Sequence, residues 1–71
     1  MTDKERVLQG FGQHVRQLRL SKKVSQEDLA EMADLHRTYI SDVERGVRNV
    51  SLATAFRIAQ ALGVELKDLV G

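Results

Sequence analysis

The stretch Ser25–Gly46, SQEDLAEMADLHRTYISDVERG, constrains the fold more than any other part of the chain. Leu29, Ala33, Leu35, Ile40 and Val43 fall at spacings that describe two short helices crossing at a sharp angle over a shared core. Ser25 suits an N-cap, Asp28 completes an S-x-x-D variant of the capping box, and Val24 is positioned to staple onto Leu29. The pattern breaks at Asp34-Leu35-His36. The second helix then runs from about Arg37 to Arg45, and Gly46 supplies the C′ stop. Ala30 is small where the second helix must pass close by. That second helix is left with a polar face of Arg37, Thr38, Ser41, Asp42 and Arg45. A surface helix that leads with Arg and Thr suits a DNA major groove. The same spacing also describes a plain helical hairpin with a solvated face.

A chain of 71 residues has room for one core. With no Cys there is neither a disulfide nor a cysteine zinc site to staple it, so stability must come from regular helix packing, self-association or both. The absence of Pro and the frequent Leu, Ala and Val favour an all-α domain. A formal charge of +1 argues against a non-specific nucleic-acid coat but leaves room for a local basic edge. No run is long and apolar enough for a membrane span, and the start lacks a signal-peptide core, so a cytoplasmic protein is expected.

Residues 1–6 read as a flexible polar arm. Helix 1 is expected from about Arg6 to Lys22, with Val7, Leu8, Phe11, Val15 and Leu18 on its apolar face. Gly10 and Gly12 mark either a later helix start or a close contact. Arg19 projects beside that face, and Glu44, next to Val43, is its candidate partner in a half-buried structural ion pair. Ser51 caps a helix 4 expected over Leu52–Leu62, and Gly63 stops it. A last short helix is expected over about 65–70. Its Leu66, Leu69 and Val70 either close the core or form a partner surface. His14 and His36 lack metal-ligand spacing, no glycine-rich phosphate loop occurs, and the serines lack a base-and-orienter arrangement. Neither an enzyme nor a cofactor is expected.

The residues SQEDLAEMA, YIS, VERG, RN and IA-x-ALGV together resemble the helix-turn-helix family of phage repressors and Xre-type regulators, over roughly Phe11 to Val70. Within it, HRTYISDVERGVRNVSL resembles the controller proteins of restriction–modification systems, small homodimeric regulators that bind palindromic operators and both activate and repress. The resemblance implies an all-α, five-helix, lambda-repressor-like domain with its helix-turn-helix at about 26–45. It implies base contacts from Arg37, Thr38, Ser41 and Asp42, and DNA backbone contacts from Gln26, Tyr39, Arg48, Asn49 and Ser51. It further implies a buried Arg19–Glu44 pair and a homodimer surface at Leu66, Leu69 and Val70 on the fifth helix. In related repressors an acidic patch on helix 2 touches RNA polymerase, and Glu27 and Glu31 occupy that helix here. Three positions depart from the family pattern: Asp34 replaces the usual turn glycine, His36 the usual Ser or Thr cap, and Val50 the usual loop proline. A phage-type repressor or antitoxin-like regulator is the alternative within the class. A protein-interaction adapter that does not bind DNA is the alternative outside it.

Overall fold

A computed structural model describes residues 1–70, so Gly71, the end of the expected domain, lies outside the described residues. Four α-helices carry the fold: α1 (Asp3–Ser21), α2 (Gln26–Ala33), α3 (Arg37–Glu44) and α4 (Leu52–Leu62). A 3-10 turn, Leu66–Leu69, closes the chain, and there is no strand among the described residues. The expected count of five helices is therefore corrected to four α-helices among the described residues, with a 3-10 turn in place of the helix expected over 65–70. A turn of four residues makes too few bonds to propagate as an α-helix, and it is held by packing instead.

The first six residues also depart from expectation. They are not an arm: Thr2 caps α1, and Asp3 to Arg6 form its first turn. Thr2 Oγ1 accepts from Glu5 N at 3.1 Å, and Glu5 Oε1 accepts from Thr2 N at 3.2 Å. This is a complete capping box, which satisfies two donors that a helix start otherwise leaves open. The signal was present as Thr2-x-x-Glu5.

All four α-helices end the same way. Each is followed by a residue with positive φ, Lys23, Asp34, Gly46 and Gly63 in turn. The next amide then reaches back to a carbonyl five residues earlier: Val24 N to Arg19 O, Leu35 N to Ala30 O, Val47 N to Asp42 O, and Val64 N to Ala59 O, at 2.8–3.1 Å. These are Schellman motifs, which satisfy the last carbonyls and turn the chain sharply. The residue after the turn is apolar every time, and Val24, Leu35 and Val64 pack against the core. Asp34 and Lys23 adopt the left-handed conformation at a steric cost that glycine would avoid.

The core joins Phe11 and Val15 of α1, Leu29 and Ala30 of α2, Ile40 and Val43 of α3, Ala55, Ile58, Ala59 and Leu62 of α4, and Leu69 of the closing turn. Gly12 is where α1 crosses α3. A Cβ there would collide with the carbonyl oxygen of Val43 and stand 2.9 Å from that of Glu44. Of the two readings of the α1 glycines, the close contact holds for Gly12. Gly10 has open space around its Cβ position.

Candidate nucleic-acid interface

The exposed face of α3 is set by what its other face must bury. Ile40 and Val43 are sealed in the core, which turns Arg37 and Thr38 outward and leaves Tyr39, Ser41 and Asp42 half-buried. The approach to this helix is fixed by the turn before it. Asp34, at φ 58° and ψ 50°, ends α2 in the left-handed region. Ser25 Oγ accepts from Asp28 N at 2.9 Å at the other end of α2. Only that half of the expected capping box forms among the described residues. His36 occupies the N-cap of α3 and makes no side-chain capping bond.

A further clamp comes from α4. Arg57 Nη2 donates to Ala33 O and to Asp34 O, each at 2.7 Å. It thereby caps the C-terminal carbonyls of α2 and holds the turn between α2 and α3. No local pattern marks this role, because the donor lies 24 and 23 residues from its two acceptors.

The far end of α3 is held from two sides. Arg19 Nε donates to Glu44 Oε2 at 2.7 Å, and Arg19 Nη2 donates to Glu44 Oε1 at 3.0 Å. Arg19 Nη1 donates to Val24 O at 3.0 Å. Gln26 Nε2 adds a bond to Glu44 Oε1 at 3.1 Å. The Glu44 side chain is 4% exposed. The expected ion pair is thus present and buried, and Gln26, at the start of α2, is part of the same network.

Beyond α3 lies a basic edge. Arg45 and Arg48 both approach Asp42: Arg45 Nη2 donates to Asp42 Oδ1, and Arg48 Nη2 lies 3.9 Å from Asp42 Oδ2. The Arg48 guanidinium also sits over the Tyr39 ring, 4.5 Å from its centroid, at cation–π distance. Asn49 is exposed in the same loop. Ser51 is spent locally: its Oγ accepts from Thr54 N at 3.1 Å and donates to Thr54 Oγ1 at 3.0 Å, capping α4. Arg45, expected on the polar face of the helix, is the C-cap residue that follows Glu44 and adds a basic group to this edge.

The helix-turn-helix family model matches residues 15–69. The chain belongs to the helix-turn-helix family. The helix-turn-helix relatives include Control protein C.BamHI of Bacillus amyloliquefaciens, 62% identical over 71 residues, covering 99% of this chain and 85% of that protein. Control protein C.SmaI of Serratia marcescens is 47% identical over 60 residues, 84% of this chain and 71% of the relative. Among solved structures, the restriction–modification controller protein C.AhdI from Aeromonas hydrophila superposes with a TM-score of 0.85 at 48% identity, covering 87% of this chain and 94% of that one. The chain is a helix-turn-helix DNA-binding transcription regulator closely related to restriction–modification controller proteins.

The surface expected for self-association needs correcting. Leu69 is fully buried, packed into the monomer core. His14 Nδ1 lies 3.2 Å from Leu69 O and ties the closing turn to α1. Leu66 is half-buried and Val70 exposed. The apolar surface left over lies beside them, in a groove of about 650 Å³ lined by Val7, Phe11, Leu52, Ala55, Leu66 and Val70. Leu52 is 75% exposed, and Phe56, one turn further along α4, is 51% exposed. These two residues give α4 a second apolar face, away from Ala55, Ile58 and Leu62, which the monomer leaves open. No helix among the described residues is long and apolar enough to cross a membrane.

Proposed function

We propose that the chain works in the cytoplasm as a homodimer that binds a two-fold symmetric operator and controls transcription of a restriction–modification system. The observation that carries this reading is the exposed start of α3, where Arg37 and Thr38 lead a helix anchored from behind by Ile40 and Val43. Residues at the N-terminal end of a recognition helix are the ones that reach base edges. Arg37 offers a planar fork matched to guanine O6 and N7, and Thr38 and Ser41 extend the reading along the groove. Gln26, Tyr39, Arg48, Asn49 and the Ser51 backbone would contact the phosphates on either side.

The apolar groove and the neighbouring Leu52 and Phe56 support pairing with a second copy. A single α3 contacts one half-site, and joining two protomers multiplies affinity through effective concentration. The dimer surface is assigned to Leu66, Val70, Val7 and Leu52, with Leu69 supporting it from within. Regulation of both signs, with the exposed Glu27 and Glu31 of α2 meeting RNA polymerase, is part of the same proposal.

Equilibrium binding to a duplex selected from a random library, repeated over a range of salt concentrations, tests the reading. Counterion release predicts a steep linear fall of log affinity with log salt. An adapter that does not bind DNA would give no selected site and no such slope.

A further inference from the structure

Asp42 is an acidic residue on a helix meant to meet a polyanion. Its side chain is 23% exposed, and both of its oxygens face arginines: Oδ1 accepts from Arg45, and Oδ2 lies 3.9 Å from Arg48. Stability does not account for it. Solvent-facing pairs of this kind contribute little to stability, and this pair joins residues already held by α3 and its Schellman turn. Reading a base does not account for it either while both oxygens are turned to protein cations. What the carboxylate changes is charge. Arg45 and Arg48 supply two positive charges at the edge of α3, and Asp42 removes one of them at the point of contact.

We propose that Asp42 is a positioning residue that acts as an internal counter-anion, holding Arg45 and Arg48 in the free protein and weakening the grip on phosphate for every DNA sequence alike. The inference rests on the DNA-binding reading above. An arginine engaged by a carboxylate must share or give up that partner to bind a phosphate, so each contact gains less than it would from a free guanidinium. The Tyr39 ring supplies the platform that keeps Arg48 in place while it is shared. The consequence is a regulator with lowered affinity for bulk DNA, which leaves base contacts from Arg37 and Thr38 to decide residence on a site.

The test is Asp42→Asn in the full chain, with binding measured to a non-cognate duplex and to the selected operator at several salt concentrations. The substitution preserves shape and removes the charge. A Glu65→Gln variant is the control: it makes the same change in net charge on the closing turn, away from α3. Asp42→Asn is expected to raise affinity severalfold for both duplexes and to steepen the salt slope by about one unit per protomer, with base preference unchanged. Glu65→Gln is expected to leave the slope as in the wild type. Loss of preference at one base pair with an unaltered slope would make Asp42 a base reader and overturn the proposal. Equal steepening by both variants would reduce the effect to overall charge, and no steepening by either would leave a surface ion pair; both overturn it. A wild type with no salt-dependent DNA affinity would instead defeat the underlying reading.

Discussion

The side chains of Arg19 and Glu44 join in a two-bond fork, Nε to Oε2 at 2.7 Å and Nη2 to Oε1 at 3.0 Å, that ties the last turn of α1 to the last residue of α3. Among the described residues no buried side-chain nitrogen or oxygen is left without a hydrogen-bond partner, so the charges in this fork are fully engaged. Removing one partner strands the other. Glu44→Ala should destabilise the fold by about 3–5 kcal/mol, because Arg19 would remain buried with an uncompensated charge. Thermal unfolding followed by circular dichroism checks this. A melting temperature equal to that of the wild type would show that the fork contributes nothing to the packing of α3.

The two glycines of α1 should respond in opposite directions. Gly12→Ala places a methyl group against the Val43 and Glu44 carbonyl oxygens and must push α1 off α3. Overpacking of this kind costs about 1–3 kcal/mol. Gly10→Ala meets nothing within 4 Å and should stabilise the helix by about 0.5–1 kcal/mol. Urea midpoints of the two variants against the wild type give the answer, and a shift of the same sign in both would contradict the crossing geometry.

These two cases show what the sequence made legible. The ion pair was readable because Arg19 and Glu44 each sit beside an apolar core position, so helical periodicity alone turned them inward. The boundaries of the helix-turn-helix were readable from Ser25 and Gly46, and those of α4 from Ser51 and Gly63, whose side chains or backbone freedom act locally. Periodicity did not distinguish a helix from a 3-10 turn at the end of the chain, because four residues span barely one turn. It also did not separate Leu69 from Val70, since burial there depends on where α1 and α4 lie. Arg57 and the Arg45–Asp42–Arg48 cluster depend on side chains meeting across the fold or across a loop, and no local pattern encodes them.

The acid behaviour of the first turn follows from the capping box. The Thr2 backbone N–H, and then the Thr2 hydroxyl, donate to Glu5 and hold its carboxyl below its ordinary value of 4.5. A depressed folded pKa contributes stability that is present above the unfolded value and is lost as pH falls through the folded one. Fraying of α1 should therefore set in at pH values below the usual Glu range. An NMR titration of the Glu5 carboxyl checks it. Thr2→Ala removes the hydroxyl and should raise the midpoint toward its ordinary value; an unchanged midpoint would assign the lowering to the backbone bond alone.

Self-association should break at a residue the monomer does not need. Leu52→Glu alters a side chain that is 75% exposed, so the melting of the monomer fold should survive while sedimentation shifts from dimer to monomer. The same charge at Leu69 would enter the core and unfold the chain. A Leu52→Glu variant that still sediments as a dimer would move the interface away from α4.

The central claim is that α3 reads bases and the following loop grips phosphate, and the exposed Arg37 at the start of α3 and Arg48 in that loop separate these roles. The decisive measurement is binding of Arg37→Ala and Arg48→Ala to a panel of single-base changes in the selected operator, each at several salt concentrations. A bidentate arginine–guanine contact discriminates by about 1–3 kcal/mol. Arg37→Ala should therefore erase the preference at one base pair in each half-site and leave affinity for unrelated duplexes nearly unchanged. Arg48→Ala should weaken every duplex to a similar degree and flatten the salt slope by about one unit per protomer. An even loss across the panel for Arg37→Ala, with all base preferences intact, would contradict the account.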